Sequence, residues 1–241
     1  MTAPELIVFD LDDTLYLERD YVLSGLVSVG DWLLREHELD GFAAAAWRRF
    51  QSGCRGTIFD AALHDLGMMP TPRFIAELVD VYRHHVPLIN LAADAAAWLA
   101  AHGGNAALAL LTDGPCAAQS RKLAALGLDT GLFWPVVMAD TWGTGYRKPH
   151  PRGFAHIQQA HGLPGRACAY VADNAAKDFI TPSRLGWRTV QIRRPGGIHT
   201  AAPATPAHAA DTVITSFAEL TAALDPRFAA RTNAPHRFAG D

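Results

Sequence analysis

The chain has 241 residues, 49% of them hydrophobic and 19% charged, enough for one large domain or for a core with a smaller domain inserted. Its formal net charge of −3 speaks against a protein that coats nucleic acid or an anionic membrane, and it has no run of about eighteen apolar residues to span a bilayer. Cys54, Cys116 and Cys168 form no C-x-x-C pair, so the expectation is a reducing cytoplasm, without a disulfide framework or structural zinc site.

The N-terminal stretch MTAPELIVFDLDD lacks a basic region ahead of its short apolar run and does not read as a signal peptide. Its apolar residues, in ELIVFD (5–10), are continuous rather than alternating, as in a strand covered on both faces. The run ends in Asp10, Asp12 and Asp13. Carboxylates this close repel one another, which raises a pKa unless a cation or a proton intervenes.

No convincing strand follows for roughly 95 residues, although a parallel crossover needs little more than a dozen. Helical patterns fill the interval instead: YVLSGLVSVGDWLLREH, DGFAAAAWRRFQ and TPRFIAELVDVYRHHV. Residues 17–90 therefore read as a helical insert. The alanine-rich LAADAAAWLAAHG that follows suits a helix.

Further apolar runs come at AALALLTDG (106–114), PVVMAD (135–140), ACAYVADN (167–174) and RTVQIR (188–193), with DTVITS as a last strand. Helix-like segments at 115–127 and 150–162 close on Gly127 and Gly162, the expected stop signal. Strand and helix in alternation predict an α/β fold, a Rossmann-like doubly wound parallel sheet with an inserted all-helical domain. The core takes 1–16 and 91–224. The segment 225–241 has little periodicity and reads as a disordered tail.

In such sheets ligands bind at the carboxyl ends of strands, where strand order reverses. Asp10 and Asp12, Thr112 and Asp113, and Asp173 with Asn174 all fall at strand ends, and Lys148 lies between two strand units. Carboxylates converging from separate segments suit Mg²⁺, a hard cation that takes oxygen ligands together with substrate phosphate. The eleven histidines show no H-x-x-x-H spacing. The pair His84-His85 does not suit chelation, because adjacent helical positions point apart.

These segments resemble, in order, the four motifs of the haloacid dehalogenase-like (HAD) hydrolase superfamily. DLDDT is similar to its D-x-D-x-T, LLTDG to its second motif, Lys148 in YRKP to its third, and VADNAAKD to its fourth. The usual glycine before Asp173 is Ala172. The insert resembles the helical cap of the first subfamily.

The resemblance implies that Asp10 is a nucleophile forming an aspartyl-phosphate and that Asp12 is the general acid and base. Dehalogenases of this superfamily lack a carboxylate at the Asp12 position, so its presence favours phosphoester chemistry. Thr112, with the Asp113 and Gly114 amides at a helix start, would bind phosphate. Lys148 would offset charge on Asp10 and the phosphoryl group. Asp10, Asp173 and the Asp12 carbonyl would hold Mg²⁺, with Asp178 and Thr14 in support. Asp13 reads as a solvated neighbour or a turn-former and Arg193-Arg194 as a solvated pair; Tyr16, Arg19, Tyr21 and Arg55, in or near the insert, are weak candidates for facing substrate, not favoured as specificity residues.

The expected function is thus Mg²⁺-dependent hydrolysis of a small phosphomonoester, such as a sugar phosphate, a phosphoglycolate-like acid or a nucleotide, with no nucleic-acid or membrane partner. A phosphomutase using the same carboxylates, or an inactive scaffold acting as a binding partner, are the alternatives.

Overall fold

The structure is a computed structural model that describes residues 3–104, 106–128 and 131–225. The expected C-terminal tail lies, from residue 226 onward, outside the described residues. In chain order the strands and α-helices are β1 (Leu6–Phe9), α1 (Glu18–His37), α2 (Phe42–Gln51), α3 (Ile58–Asp65), α4 (Pro72–His84) and α5 (Ala93–His102). Then come β2 (Ala107–Thr112), α6 (Cys116–Ala125), β3 (Val136–Met138), α7 (Arg152–His161), β4 (Cys168–Ala172), α8 (Ile180–Arg184), β5 (Arg188–Ile192), β6 (Thr212–Ile214) and α9 (Leu220–Leu224).

The strands form one parallel sheet in the order β3-β2-β1-β4-β5-β6. Chain order reverses at β1, which pairs with β2 on one side and β4 on the other. That reversal is the topological switch point of a doubly wound sheet, where strand ends splay and leave a crevice. Asp10 follows β1 and Asp173 follows β4, so both stand at the switch.

Both faces of the sheet are covered, which explains why its strands are continuously apolar. On one face Leu6, Val8, Leu111, Tyr170 and Ala172 pack with Phe154 and Ile157 of α7. Gly153 permits the approach of that helix, since a Cβ there would stand 2.5 Å from Leu111 Cδ1. In the alternate register of β1, Phe9 stacks on Phe217 at 5.7 Å and meets Trp98 of α5 edge-on at 5.8 Å. The methyl of Ala172, where the family pattern has glycine, is fully buried in the first of these clusters.

The chain divides into two compact units: one takes the residues up to Leu17, Leu91–Gln119 and the described residues from Gly127 onward, and the other Glu18–Asn90 with Ser120–Leu126. The second is helical, with Leu26, Val29, Leu33, Phe42, Leu63 and Leu78 in its core. Helix α4 starts where Thr71 caps it, its hydroxyl accepting from the Phe74 amide at 3.2 Å, with Pro72 in the first turn. Helix α3 escaped the sequence reading because it has only eight residues and lies between the turns at Gly56 and Gly67. No described helix is long and apolar enough to cross a membrane.

Candidate active site

The turn after β1 is tight. The Thr14 and Leu15 amides both donate to the Leu11 carbonyl, at 3.3 and 3.0 Å. Asp13 adopts a left-handed backbone at φ 50, a conformation that aspartate tolerates better than most residues. Asp13 is buried rather than solvated, and its Oδ2 accepts from the Ile198 amide. Thr14 supports the loop through its carbonyl, which accepts from Arg194 Nε at 2.8 Å, while its buried hydroxyl has no partner. Arg194 is not a solvated charge: only 6% of its side chain is exposed, and Nη1 pairs with Asp94 at 2.8 Å.

Asp10 is buried, and its Oδ1 lies 2.8 Å from Lys148 Nζ. The same ammonium reaches Asp178 Oδ1 at 2.9 Å and donates to the Tyr170 hydroxyl at 3.0 Å. Asp178 is fixed in turn by the Asn174 amide, 2.9 Å from Oδ2. Asp173 is buried beside them, and its carbonyl accepts from Gln191 at 2.8 Å. Burial pushes Asp10 up to about 6, with Lys148 opposing and Asp178 adding to the rise. Burial together with Asp10 and Asp178 pushes Asp173 up to about 9. For Lys148, burial alone would lower the pKa, but Asp10 and Asp178 outweigh it and hold the ammonium well above the usual lysine range.

A divalent cation fits this donor set. Ligand oxygens of Asp10, Asp173 and Asp178 lie within 4.8 Å of one another, and Asp173 Oδ2 is buried with no hydrogen-bond partner among the described residues. An orphaned buried carboxylate oxygen is costly and is the kind of ligand Mg²⁺ takes.

Asp12 is half-buried and held on both oxygens: Tyr16 donates to Oδ1, and Gln119 Nε2 to Oδ2 at 3.0 Å. Gln119 also donates to the Thr112 hydroxyl, so one amide ties the first motif to the second. Tyr16, a weak candidate for facing substrate, is fully buried with its hydroxyl committed to Asp12.

Gly114 turns the chain out of β2 at φ 112, and its amide donates to Asp140 Oδ1 at 3.3 Å. Asp140 is itself held by Arg147 at 2.6 Å. The Gly114 amide, assigned to phosphate from the sequence, is therefore already engaged. The Asp113 side chain accepts from the Lys148 amide at 3.1 Å and from Lys177 Nζ at 2.8 Å.

The remaining candidates have internal partners. Arg55 lies over Phe50 and donates to the Phe50 and Cys54 carbonyls; Arg19 lies over Trp47; Tyr21 is buried. His84 pairs with Asp80, whereas His85 is buried against Tyr21.

Gln119, Tyr170 and Lys177 were not legible as site residues. The available signals were a tyrosine in an otherwise apolar strand and a lysine directly before Asp178.

A family model for haloacid dehalogenase-like hydrolases matches residues 4–186, and the chain belongs to that family. Among curated proteins nothing matches it. The structure is similar to that of the putative HAD-hydrolase YfnB from Bacillus subtilis bound to magnesium (TM-score 0.67, 18% identity, covering 92% of this chain and 99% of that one). It is similar also to a HAD family hydrolase from Deinococcus radiodurans with bound phosphate and sodium (0.65, 23%, 93% and 96%). A third likeness is to 2-haloacid dehalogenase from Pseudomonas syringae (0.60, 21%, 92% and 98%). At these identities the solved structures speak for the fold. The fold therefore accommodates more than one hydrolytic chemistry, and the side chains must choose between them.

Proposed function

We propose that the protein is a phosphomonoester hydrolase that works in the cytoplasm on a small phosphorylated metabolite, with Mg²⁺ as cofactor. The observation that carries this reading is Asp12, a second carboxylate two residues beyond Asp10, held by Tyr16 and Gln119 beside Thr112. A halide leaves without a proton, whereas an ester oxygen needs one.

Asp10 attacks phosphorus. A bond forms from its carboxylate oxygen, the bond to the leaving oxygen breaks, and Asp12 supplies the proton that makes the leaving group an alcohol. Water then attacks the aspartyl-phosphate and gives a proton to Asp12, and orthophosphate departs with Asp10 restored. An acid and base so placed contributes about 10²–10⁴ in rate. Lys148 keeps Asp10 oriented and balances its charge. Asp10, Asp173 and the Asp12 carbonyl would hold the Mg²⁺, which supplies positive charge against the phosphoryl oxygens. The helical insert is assigned the choice of leaving group, as the resemblance implies for a cap.

The test is product analysis with Mg²⁺ present, offering a panel of small phosphomonoesters and 2-haloacids in parallel. Phosphate release from a subset of esters, abolished by EDTA, is expected. Halide release from the haloacids with no phosphate from any ester would overturn the reading.

A further inference from the structure

An ammonium has three N–H donors. In Lys148 all three meet protein acceptors, namely Asp10 Oδ1, Asp178 Oδ1 and the Tyr170 hydroxyl, and the side chain is 1% exposed. A phosphoryl group arriving at Asp10 feels the charge of Lys148 but gains no hydrogen bond from it unless one of these contacts breaks. The Gly114 amide is already bonded to Asp140. Transferring phosphoryl groups carry charge on three equatorial oxygens, so beside the Thr112 hydroxyl and the Asp113 amide there is room for a further, cationic donor.

Lys177 is the candidate. Its side chain is 32% exposed, and among the described residues Nζ has one hydrogen-bond partner, Asp113 Oδ2 at 2.8 Å. That contact spans 64 residues and ties the ammonium to Asp113, the residue that follows Thr112, the expected phosphate ligand. Lys177 also interacts electrostatically with Asp10 and Asp178.

We propose that Lys177 hydrogen-bonds the non-bridging oxygens of the substrate phosphoryl group and of product orthophosphate, leaving Lys148 as the fixed counter-charge of Asp10. This rests on the phosphatase reading, and the test separates the two. Inorganic phosphate is titrated calorimetrically, with Mg²⁺, into wild type, Lys177→Gln, Lys177→Arg, Asp113→Asn and the Lys177→Gln/Asp113→Asn double variant. Loss of one charge-assisted bond weakens affinity about tenfold to a hundredfold in Lys177→Gln. Lys177→Arg should recover most of it, and the loss should persist in the Asp113→Asn background.

Wild-type affinity in Lys177→Gln overturns the proposal and leaves the phosphatase reading standing. Equal losses in both single variants with no further loss in the double show a mere brace on Asp113, and also overturn it. Wild type that fails to bind phosphate overturns both. A second measurement needs no variant: acylation of Lys177 in the wild-type protein, followed by peptide mass spectrometry, should be suppressed by phosphate. Labelling that ignores phosphate contradicts the assignment.

Discussion

In the helical unit the ion pairs lie at the surface: Arg49–Asp65 has side chains 42% and 29% exposed, and Arg73–Glu77 has 90% and 45%. In the sheet unit Asp10, Lys148 and Asp178 meet with side chains 5%, 1% and 0% exposed. Exposed pairs contribute little to stability, whereas each buried ion costs several kcal/mol to desolvate. A fold selected for stability alone would put apolar residues at the end of β1, like those that cluster in the core of the helical unit. The contrast teaches where to look for chemistry: buried, mutually compensating charge at a sheet's switch point marks a candidate site.

That contrast can be broken by substitution. Asp10→Asn should lose turnover by on the order of 10³ or more while the protein stays folded; near-normal activity with an unchanged circular dichroism spectrum would remove Asp10 from the chemistry. Lys148→Met leaves Asp10 and Asp178 buried without their cation. Denaturant unfolding in EDTA should then show a loss of about 3–5 kcal/mol, and unchanged stability would mean the charges are not coupled as described.

Asp94 sharpens the comparison, because it is a half-buried charge with a purely structural task. Burial works to raise its pKa, but bonds from the Phe217 amide, the Ser216 hydroxyl and Arg194 bring it below the usual 3.8. A depressed carboxylate stabilises the fold above its unfolded pKa and loses that contribution as pH falls through the folded value. Asp94→Asn should therefore cost roughly 2 kcal/mol at neutral pH. The gap from wild type should narrow as pH falls below 3.8, and a gap that widened in acid would contradict the sign. At the small end, Arg49→Ala should leave the melting temperature unchanged within error.

The sheet was legible because its physics is local: each continuous apolar run ending in polar residues becomes a strand, and their alternation with helices forces a parallel arrangement. The positions of Asp10, Asp12, Thr112, Lys148 and Asp173 at strand ends or in a connector were legible for the same reason. What stayed hidden depends on partners far along the chain. Nothing around Lys177 announces Asp113, and nothing in α6 announces that Gln119 bridges Thr112 and Asp12. The burial of Tyr16 was hidden too, because a tyrosine beside a charged helix start resembles a surface residue until the packing that buries it is seen. Arg194 was misread because it stands next to Arg193 and before a Pro-Gly turn, while its ring partner Phe217 is remote.

The most direct test of the central claim is to look for the phosphoryl group on Asp10. Wild type turning over a phosphomonoester with Mg²⁺ is quenched in acid, and its peptides are weighed. The account predicts a phosphoryl group on the peptide carrying Asp10, absent from Asp10→Asn. Full phosphate release with that peptide never modified, and undiminished in Asp10→Asn, would contradict it.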